Sequence, residues 1–439
     1  MKKEFGVALV LIGVLSGFAQ EGSLPDVAPK AGWDTLPPVK TTARDWPWWR
    51  GPHLDNIAPT GQKPPAAWSD ETNVVWRAKL PGVGHSSPSI VGDRIYITSG
   101  EKTKDHATAW LFCLERATGK TVWQTELYKG PPPRMHPDNA VASATPACDG
   151  ERVIVPYQSN TSVVTVAVGI DGKVLWRQTI APYSTIQGYS ASPSFYKSAV
   201  IVPVEGPKGC YLTALHRQSG DVVWRKSIRS AIESYAPAVV RHVAGRDQLL
   251  LIGGTSTRGY DPETGDLLWE CEGPARTCVA TPVVDRDTVY ATGGYPGRKF
   301  LAIRADGKGD VTRSHLIWTG DAKAGYVPSP VLHEGLLYAV ADQGLMRCYD
   351  VKDGRVLWEH DFKTPFYSSP TPVGKAIYLF DRKGKGYIVP AGRTLGTIAT
   401  NGLPAGVFAT PVFLEGRMYL RTLGDFYCFG EAAFSGHTE

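Results

Sequence analysis

A long predicted loop, residues 127–143, brings His136, Asp138 and Asn139 close together. Imidazole and carboxylate groups can transfer protons or bind a metal ion, and His85 could approach from a neighbouring loop. The spacing matches no known metal-ligand pattern, however, and three consecutive prolines stiffen the same loop. The sequence therefore favours a structural role for this loop, and it predicts no catalytic residue and no metal ligand.

Further candidates lie three or four residues before prolines that recur along the chain. The prolines belong to the pairs Ser87-Pro88, Thr145-Pro146, Ser192-Pro193, Ala236-Pro237, Thr281-Pro282, Ser329-Pro330, Ser369-Pro370 and Thr410-Pro411. With His136 and Asn139, the candidate ligand-binding or partner-binding residues are His85, Ser143, Tyr189, Glu233, Tyr326 and Tyr367. Such aromatic and hydroxyl side chains suit a flat organic ligand or a polypeptide segment. The alternative, which the sequence favours, is ordinary packing between neighbouring strands.

The proline pairs open repeats of about 40 to 50 residues, and a tryptophan in a predicted strand closes most of them. The closing tryptophans are Trp76, Trp123, Trp176, Trp224, Trp269, Trp318 and Trp358. Turn residues divide each repeat into four short antiparallel strands, and a single unit of this kind cannot bury both of its faces. The sequence therefore predicts an all-β fold, an eight-bladed β-propeller over residues 73–434 with a tail at 435–439.

The ends of the chain explain why eight openings face only seven closing tryptophans. The repeat that opens at Thr410 stops without a Trp strand, whereas the predicted strand 73–80, with Trp76, has no opening before it. Pairing the two closes the ring and removes two exposed sheet edges. The repeat after Ser369 is also degenerate, with residues 394–398 in the expected place of its Trp strand.

A mostly small residue lies ten positions before several of the tryptophans, which leaves room for an indole to lie across the blade. These residues are Cys113, Ala214, Gly259 and Cys348, with the bulkier Val166 before Trp176. A glycine in the preceding turn provides a positive φ. Together these features resemble the pyrroloquinoline-quinone-type (PQQ-type) propeller repeat family. The resemblance covers residues 73–434 and implies blades that are locked together by docked tryptophans.

The N-terminus combines two lysines, a short apolar run and small residues at Gly17 and Ala19. This pattern predicts a secretory signal peptide over residues 1–19, and the apolar run is too short to span a bilayer comfortably. The first cysteine is Cys113, so attachment through a lipidated cysteine is not expected. We expect an exported protein, periplasmic or secreted, that is not a lipoprotein and has no transmembrane segment.

Residues 20–72 are rich in proline and lack strand periodicity, so an extended linker or strap is expected. The strap contains the run Asp45-Trp-Pro-Trp-Trp-Arg-Gly-Pro52, whose three tryptophans should pack against the propeller rather than face water. This run and the segments 84–88 and 136–152 resemble a group of exported bacterial PQQ-like propeller proteins.

The net charge of the chain limits the kinds of binding partner that are expected. The formal charge is +5, and loss of residues 1–19 lowers it to +4, which predicts neither nucleic acid nor an anionic membrane surface as a partner. Basic residues in the loops of one face could attract an anionic ligand, although scattered basic residues are more often only solvated. They are Lys102, Lys104, Lys208, Arg258, Arg298, Lys299, Arg382, Lys383 and Lys385.

The cysteines divide into two groups. The repeat position under the tryptophan is occupied by Cys113, Cys348 and Cys428. A disulfide is possible between Cys271 and Cys278.

Two functional hypotheses follow. Quinoprotein alcohol dehydrogenases resemble this chain in their repeats. That resemblance would imply an adjacent cysteine pair, an acidic calcium site and a catalytic aspartate. In this sequence no two cysteines are adjacent. The propeller lipoprotein of the β-barrel assembly machinery is also similar, but it has a lipidation cysteine and lacks the strap. The sequence favours a monomeric, non-catalytic binding or scaffold propeller that engages an envelope protein or a small ligand, without a cofactor. The alternative is a PQQ-dependent oxidoreductase that holds PQQ with calcium.

Overall fold

The computed structural model describes residues 24–230, 232–320, 323 and 325–431. These residues form 33 strands and, within the described part, no helix. The strands build eight consecutive antiparallel sheets, each with four principal strands, so the prediction of an eight-bladed β-propeller is confirmed. The predicted signal peptide at 1–19 and the tail at 435–439 lie outside the described residues.

Each blade starts with a short inner strand at the central channel and ends with an outer strand at the rim. Blade 1 consists of Ser89–Val91, Arg94–Lys102, Ala107–Glu115 and Thr121–Gly130, and blade 2 of Ala147–Cys148, Arg152–Gln158, Ser162–Gly169 and Val174–Pro182. Blade 3 consists of Ser194–Tyr196, Ala199–Gly206, Gly209–His216 and Val222–Ser227, and blade 4 of Val239–Val243, Arg246–Gly253, Ser256–Tyr260 and Leu267–Glu272.

The second half of the ring repeats the pattern. Blade 5 consists of Val283–Asp285, Thr288–Gly293, Lys299–Arg304 and Leu316–Gly320, and blade 6 of Val331–His333, Leu336–Val340, Leu345–Asp350 and Val356–Asp361. Blade 7 consists of Thr371–Val373, Ala376–Phe380, Lys385–Pro390 and Ala399–Gly402. Blade 8 takes Val412–Leu414, Arg417–Arg421 and Asp425–Phe429 from the end of the chain and Val74–Lys79 from its beginning. This strand exchange confirms the predicted closure of the ring.

Blades 3 and 4 carry additional chain segments on their outer strands. Val27 forms an antiparallel bridge with Arg225, and the Lys30 amide donates to the Val223 carbonyl. The two-residue strand Gly309–Asp310 runs parallel to the outer strand of blade 4. These segments satisfy edge groups that would otherwise be open to other chains.

The closing tryptophans connect each blade to the next. In six blades the indole Nε1 donates to a backbone carbonyl of the following blade, at 2.8 to 3.2 Å. Trp76 of blade 8 bonds the Arg116 carbonyl in this way, and Trp358 of blade 6 bonds that of Gly392. Trp269 differs, since it donates to the Gln248 side chain within its own blade. Six of the eight interfaces thus combine buried aromatic area with a directed hydrogen bond.

The position beneath the tryptophan is small, with one correction to the sequence prediction. Cys348 pairs with Trp358 and Cys428 with Trp76 across the ladder. In blade 2, however, Ala167 and not Val166 pairs with Trp176, because a register shift follows that pair. The blade is therefore regular at this position, and the bulky exception expected from the sequence does not exist.

All seven cysteines are buried free thiols in the structure. Cys271 lies in the outer strand of blade 4, and Cys278 lies in the segment that leads into blade 5. The disulfide between them that the sequence left open is therefore not formed. Burial raises the pKa of the Cys271 thiol to about 11, which disfavours the reactive thiolate.

Glycines in the turn of one blade pack against the tryptophan of the blade before it. Gly354 has a φ of +70°, and a Cβ atom there would lie 2.5 Å from the Trp318 ring. Gly335 of the same blade has a nearly equal φ of +72° but no atom within 4 Å of its Cβ position. A comparison of substitutions at the two glycines therefore separates the cost of the left-handed backbone from the cost of the clash with the Trp318 ring.

We expect Gly354→Ala to destabilise the protein considerably more than Gly335→Ala. The left-handed backbone alone should cost about 1 kcal/mol in each variant, and Gly354→Ala should lose about 2 kcal/mol more because the indole must move. Urea unfolding of both variants measures the difference. Equal losses would mean that the close approach of Gly354 to Trp318 does not constrain the interface.

Candidate functional site

The Trp-rich segment of the strap lies along the inner strands of the propeller. Trp46 forms a two-way backbone bridge with Ile90 of blade 1, and the Pro47 carbonyl accepts from the Cys148 amide of blade 2. The Trp48 ring packs edge-on against Phe195 of blade 3. The strap thus runs across the channel from blade to blade, deeper along the inner strands than their opening prolines.

The same segment continues to the opposite side of the ring. The Arg50 guanidinium, which is buried, donates to the Pro330 carbonyl of blade 6 at 2.8 Å. The side-chain amide of Asn56 donates to the Pro370 carbonyl of blade 7, and the backbone amide of Ala58 donates to the Pro372 carbonyl. Residues 45–58, called the plug below, therefore occupy the channel at the level of the opening prolines and of the residues that follow them.

A belt of hydrogen bonds joins the blades at the opening prolines. Before six of the eight prolines, the preceding residue donates its backbone amide to the hydroxyl of the corresponding residue in the next blade, at 2.9 to 3.1 Å. The donor and acceptor pairs are Ser87 to Thr145, Thr145 to Ser192, Thr281 to Ser329, Ser329 to Ser369, Ser369 to Thr410 and Thr410 to Ser87. The repeated hydroxyl residue in the sequence therefore has a structural role at every one of these steps.

The belt is interrupted at blade 4, where Ala236 replaces the hydroxyl residue. The neighbouring Thr281 accepts a hydrogen bond from the Trp49 indole of the plug at 2.8 Å. Tyr235, Pro237 and Val279 surround this interruption. The lining at this interruption is consequently less polar than the lining along the rest of the belt.

A cavity of about 190 Å³ opens above the belt. Its walls consist of the belt hydroxyls, several aromatic rings and residues of the long loop, and Trp49 of the plug closes it below. The aromatic lining residues are Trp49, His85, His136, Tyr235, Tyr326, Tyr367 and Phe408. A concave site that combines aromatic rings with a few fixed polar groups is typical of ligand or peptide recognition.

Six of the eight residues proposed from the sequence line this cavity. They are His85, His136, Asn139, Ser143, Tyr326 and Tyr367. Tyr189 lies outside it, since the ring is buried and its hydroxyl donates to the Pro203 carbonyl. Glu233 also lies outside it, and Tyr235 lines the cavity in its place. The intervening Ser234 bonds the Glu205 and Cys278 backbones, which fixes the path of this segment.

A cation and aromatic rings form a cluster at the mouth of the cavity. The Arg382 guanidinium lies 4.3 Å from the Tyr367 ring centre and 4.8 Å from that of Phe408. It also pairs with Asp138 of the long loop at 2.8 Å, so this contact joins blade 7 to the loop between blades 1 and 2. The His85 ring stacks on the Phe408 ring, with ring centres 4.5 Å apart.

The histidine in this cluster is an uncharged group at neutral pH. Burial, reinforced by the positive charges of Arg421 and Arg382, lowers the pKa of His85 to about 4. A neutral imidazole stacks on Phe408 without the desolvation cost of a cation. His85 is thus suited to contact a ligand and poorly suited to donate a proton.

The sequence did not identify the residues that the strap contributes. Trp49 lies more than 200 positions before its partner Thr281, and no repeat period links the two. The signal that was available is the three tryptophans within four residues, which indicated packing against the propeller but not its location. Tyr235 was missed because the repeat offset selected the residue two positions before it.

The donor set does not fit a quinone held by calcium. Asp138 is the one carboxylate among the lining residues, and Arg382 already neutralises it. No group of three His, Cys, Asp or Glu side chains suited to a metal ion occurs within the part of the chain that the structure describes. Calcium in proteins is coordinated by six to eight oxygens, commonly with several carboxylates, and this arrangement does not provide them.

The fold and the site together define a class: an eight-bladed propeller of PQQ-like repeats, closed on one side by its own N-terminal strap. The family described as "Outer membrane protein assembly factor BamB" matches residues 66–246, 108–346 and 307–402. These matches cover most of the chain, and the chain belongs to this family.

Individual relatives are more distant. The chain is 23% identical to the "Outer membrane protein assembly factor BamB" of Burkholderia pseudomallei over 327 residues, which cover 71% of this chain and 75% of that protein. The structure of BamB from Moraxella catarrhalis superposes with a TM-score of 0.56 and 16% identity, over 81% of this chain and 99% of that one. The quinohemoprotein alcohol dehydrogenase from Comamonas testosteroni gives a TM-score of 0.63 and 12% identity, over 89% and 81% of the two chains. At these identities the two structures share the fold and no more.

Membrane topology adds one observation. Among the residues that the structure describes, none belongs to a helix with the length and apolar character needed to cross a membrane.

Proposed function

We propose that this protein is a non-catalytic scaffold of the bacterial cell envelope that binds a protein partner at the channel-mouth face. The observation that carries the proposal is the cavity itself, which has the plug below it and is lined by aromatic and hydroxyl side chains. The partner is an outer membrane protein, or a component that assembles one, by analogy with the described role of the family. Export and a monomeric state are part of the same proposal.

The supporting chemistry is that of recognition. Tyr367, Phe408 and Trp49 offer flat apolar surfaces, and aromatic residues of this kind dominate the energetics of protein interfaces. The belt that holds the wall is rigid because backbone amides of successive blades bond its hydroxyls. A preformed rigid site loses little conformational entropy when it binds a partner.

Photocrosslinking tests the proposed face. A photoreactive amino acid at Tyr367, in the cavity wall, should give an adduct in cells that mass spectrometry identifies as an outer membrane protein or a component of its assembly. The same photoreactive amino acid, placed instead at Val122, provides the control, because Val122 is 48% exposed on the outer strand of blade 1. Adducts from Val122 but not from Tyr367 would contradict binding at the mouth.

The alternative, a PQQ-dependent oxidoreductase, makes a different prediction. We expect no change in Tm and no saturable quenching of tryptophan fluorescence when the purified protein is titrated with PQQ and Ca²⁺. A saturable stabilisation of several degrees, lost in Tyr326→Ala and Tyr367→Ala, would favour the oxidoreductase. Trp123→Phe serves as a control for the fluorescence signal, since Trp123 docks between blades 1 and 2.

A further inference from the structure

The belt hydroxyls accept hydrogen bonds but do not donate any to the described residues. Thr145, Ser192, Ser329, Ser369 and Thr410 each accept one backbone amide. A hydroxyl has one proton to donate as well as two acceptor sites, so each of these protons is still available. All five residues line the cavity, and each of them is at most 5% exposed.

The available donors are unevenly distributed around the ring. Ser329, Ser369 and Thr410 belong to the consecutive blades 6, 7 and 8, and Thr145 and Ser192 belong to blades 2 and 3. The interruption of the belt at Ala236 leaves Pro237, Val279 and the Trp49 ring on the side of blades 4 and 5. In a ring of eight blades, blades 4 and 5 lie opposite blades 8 and 1. Apart from the hydroxyls of Thr281 and Tyr235, the lining on the side of blades 4 and 5 is therefore apolar, and the belt hydroxyl of Thr410 in blade 8 lies across the ring from it.

Positive charge lies on the side of the donors. Arg382 of blade 7 packs against Tyr367 and Phe408 of the cavity wall. Arg421 of blade 8 is 1% exposed, and its Nε and Nη1 atoms have no hydrogen-bond partner among the residues that the structure describes. Two guanidinium groups thus lie beside this wall.

The carboxylates near these two arginines are already engaged. Asp138 pairs with Arg382 at 2.8 Å. Asp425, which acts electrostatically on Arg421, accepts from Arg77 at 2.8 Å. Because Arg382 and Asp138 neutralise each other, the net positive charge beside this wall comes from Arg421 of blade 8, and a negative group in the cavity would be attracted to it.

We infer that the cavity binds a carboxylate attached to an apolar or aromatic group. The carboxylate accepts hydrogen bonds from Ser369 and its neighbours in the belt, and the apolar part lies against Trp49 and Val279. The inference rests on the proposed binding function and adds to it the chemistry of the bound group. A polypeptide with a free C-terminus and a small organic acid share this chemistry, so the experiment has one arm for each.

Isothermal titration calorimetry of the full chain tests the inference. The small-molecule arm compares 3-phenylpropionate with 3-phenylpropanamide, which has the same shape and no charge. The peptide arm compares a tetrapeptide that ends in phenylalanine and has a free C-terminus with its C-terminal amide. We expect at least one acid to bind saturably and at least ten times more tightly than its amide, because hydrogen bonds to charged groups are the stronger ones. The arm in which this happens identifies the source of the carboxylate.

Two matched variants separate the ligand contact from the integrity of the belt. Ser369 and Ser87 each accept one backbone amide of the preceding blade, at 3.0 and 3.1 Å, but only Ser369 lines the cavity. We expect Ser369→Ala to weaken binding of the acid about tenfold and Ser87→Ala to leave it unchanged, with similar losses of Tm. Equal binding of acid and amide, or no binding by either acid, would overturn the inference, as would equal effects of the two variants. An adduct at Tyr367 without carboxylate binding would remove this inference and leave the proposed function in place.

Discussion

Trp68→Ala should lower the free energy of unfolding by about 3 to 5 kcal/mol, the usual range for removal of a large buried aromatic side chain. Blade 7 has no closing tryptophan of its own, since Ala399 occupies the position across the ladder from Ile388. Trp68, from the strap, is 3% exposed and covers this blade instead. Its ring stacks on Tyr378 at 6.0 Å and contacts Phe380 at 5.6 Å.

The comparison with blade 6 shows why the loss should be large. There Tyr338, the equivalent of Tyr378, lies beside the closing Trp358, with ring centres 6.0 Å apart. Without Trp68, blade 7 would have no indole over Tyr378, and the hydrophobic core between blades 7 and 8 would lose a large buried side chain. The effect should therefore match the loss of a closing tryptophan, although Trp68 precedes the propeller in the chain.

Urea unfolding gives the measurement, with Trp33→Ala as the control. Trp33 also belongs to the strap, but it is only partly buried, at the edge of the blade 3 core. Its removal should cost clearly less than that of Trp68. If both variants lose the same amount, the strap acts as a general cover and Trp68 does not replace the missing tryptophan.

The sequence was sufficient for the blades because each one repeats the same local chemistry. Proline opens the inner strand, a glycine turn precedes the outer strand, and a tryptophan docks on the next blade. The exception was blade 7, where residues 394–398 were expected in the outer strand and Ala399–Gly402 form it. The sequence indicated correctly that this blade has no tryptophan of its own, but its outer strand begins five residues later than expected, and Trp68 of the strap covers the blade.

The candidate site was only partly predictable, for a related reason. Positions before the prolines identify residues that the repeat itself brings to the mouth, such as His85, Tyr326 and Tyr367. Trp49 reaches the cavity through the path of the strap, and a segment without periodicity contains no signal for that path. Charge pairs between distant loops, such as Arg382 with Asp138, are hidden from the sequence for the same reason.

Glu205 is a buried carboxyl group whose environment disfavours its charged form. Its side chain is 2% exposed, and neither carboxylate oxygen has a hydrogen-bond partner among the described residues. The Arg258 Nη1 atom lies 3.9 Å away and already donates to the Gly253 carbonyl. Burial therefore outweighs the attraction to Arg258 and raises the pKa of Glu205 from 4.5 to about 8.

A raised carboxyl pKa gives a definite sign to the dependence of stability on pH. Between pH 4.5 and 8 the folded protein retains a proton on Glu205 that the unfolded chain has lost. The free energy of unfolding then decreases as pH rises, because the folded state binds more protons. The contribution of Glu205 is fully present below pH 4.5 and is lost progressively as pH rises to 8, by about 5 kcal/mol in total.

Glu205→Gln should remove this dependence, since the amide has the same shape and does not ionise. We expect the variant and the parent to unfold at similar urea concentrations at pH 5, and the variant to be more stable at pH 9 by a few kcal/mol. Glu126→Gln, at an exposed position on the outer strand of blade 1, is the control and should unfold like the parent at both pH values. If Glu205→Gln and the parent lose stability in parallel between pH 5 and 9, the Glu205 carboxyl is ionised in the folded protein. Arg258 would then have to approach it more closely than 3.9 Å, because a charge so deeply buried persists only with a directly bonded counter-charge.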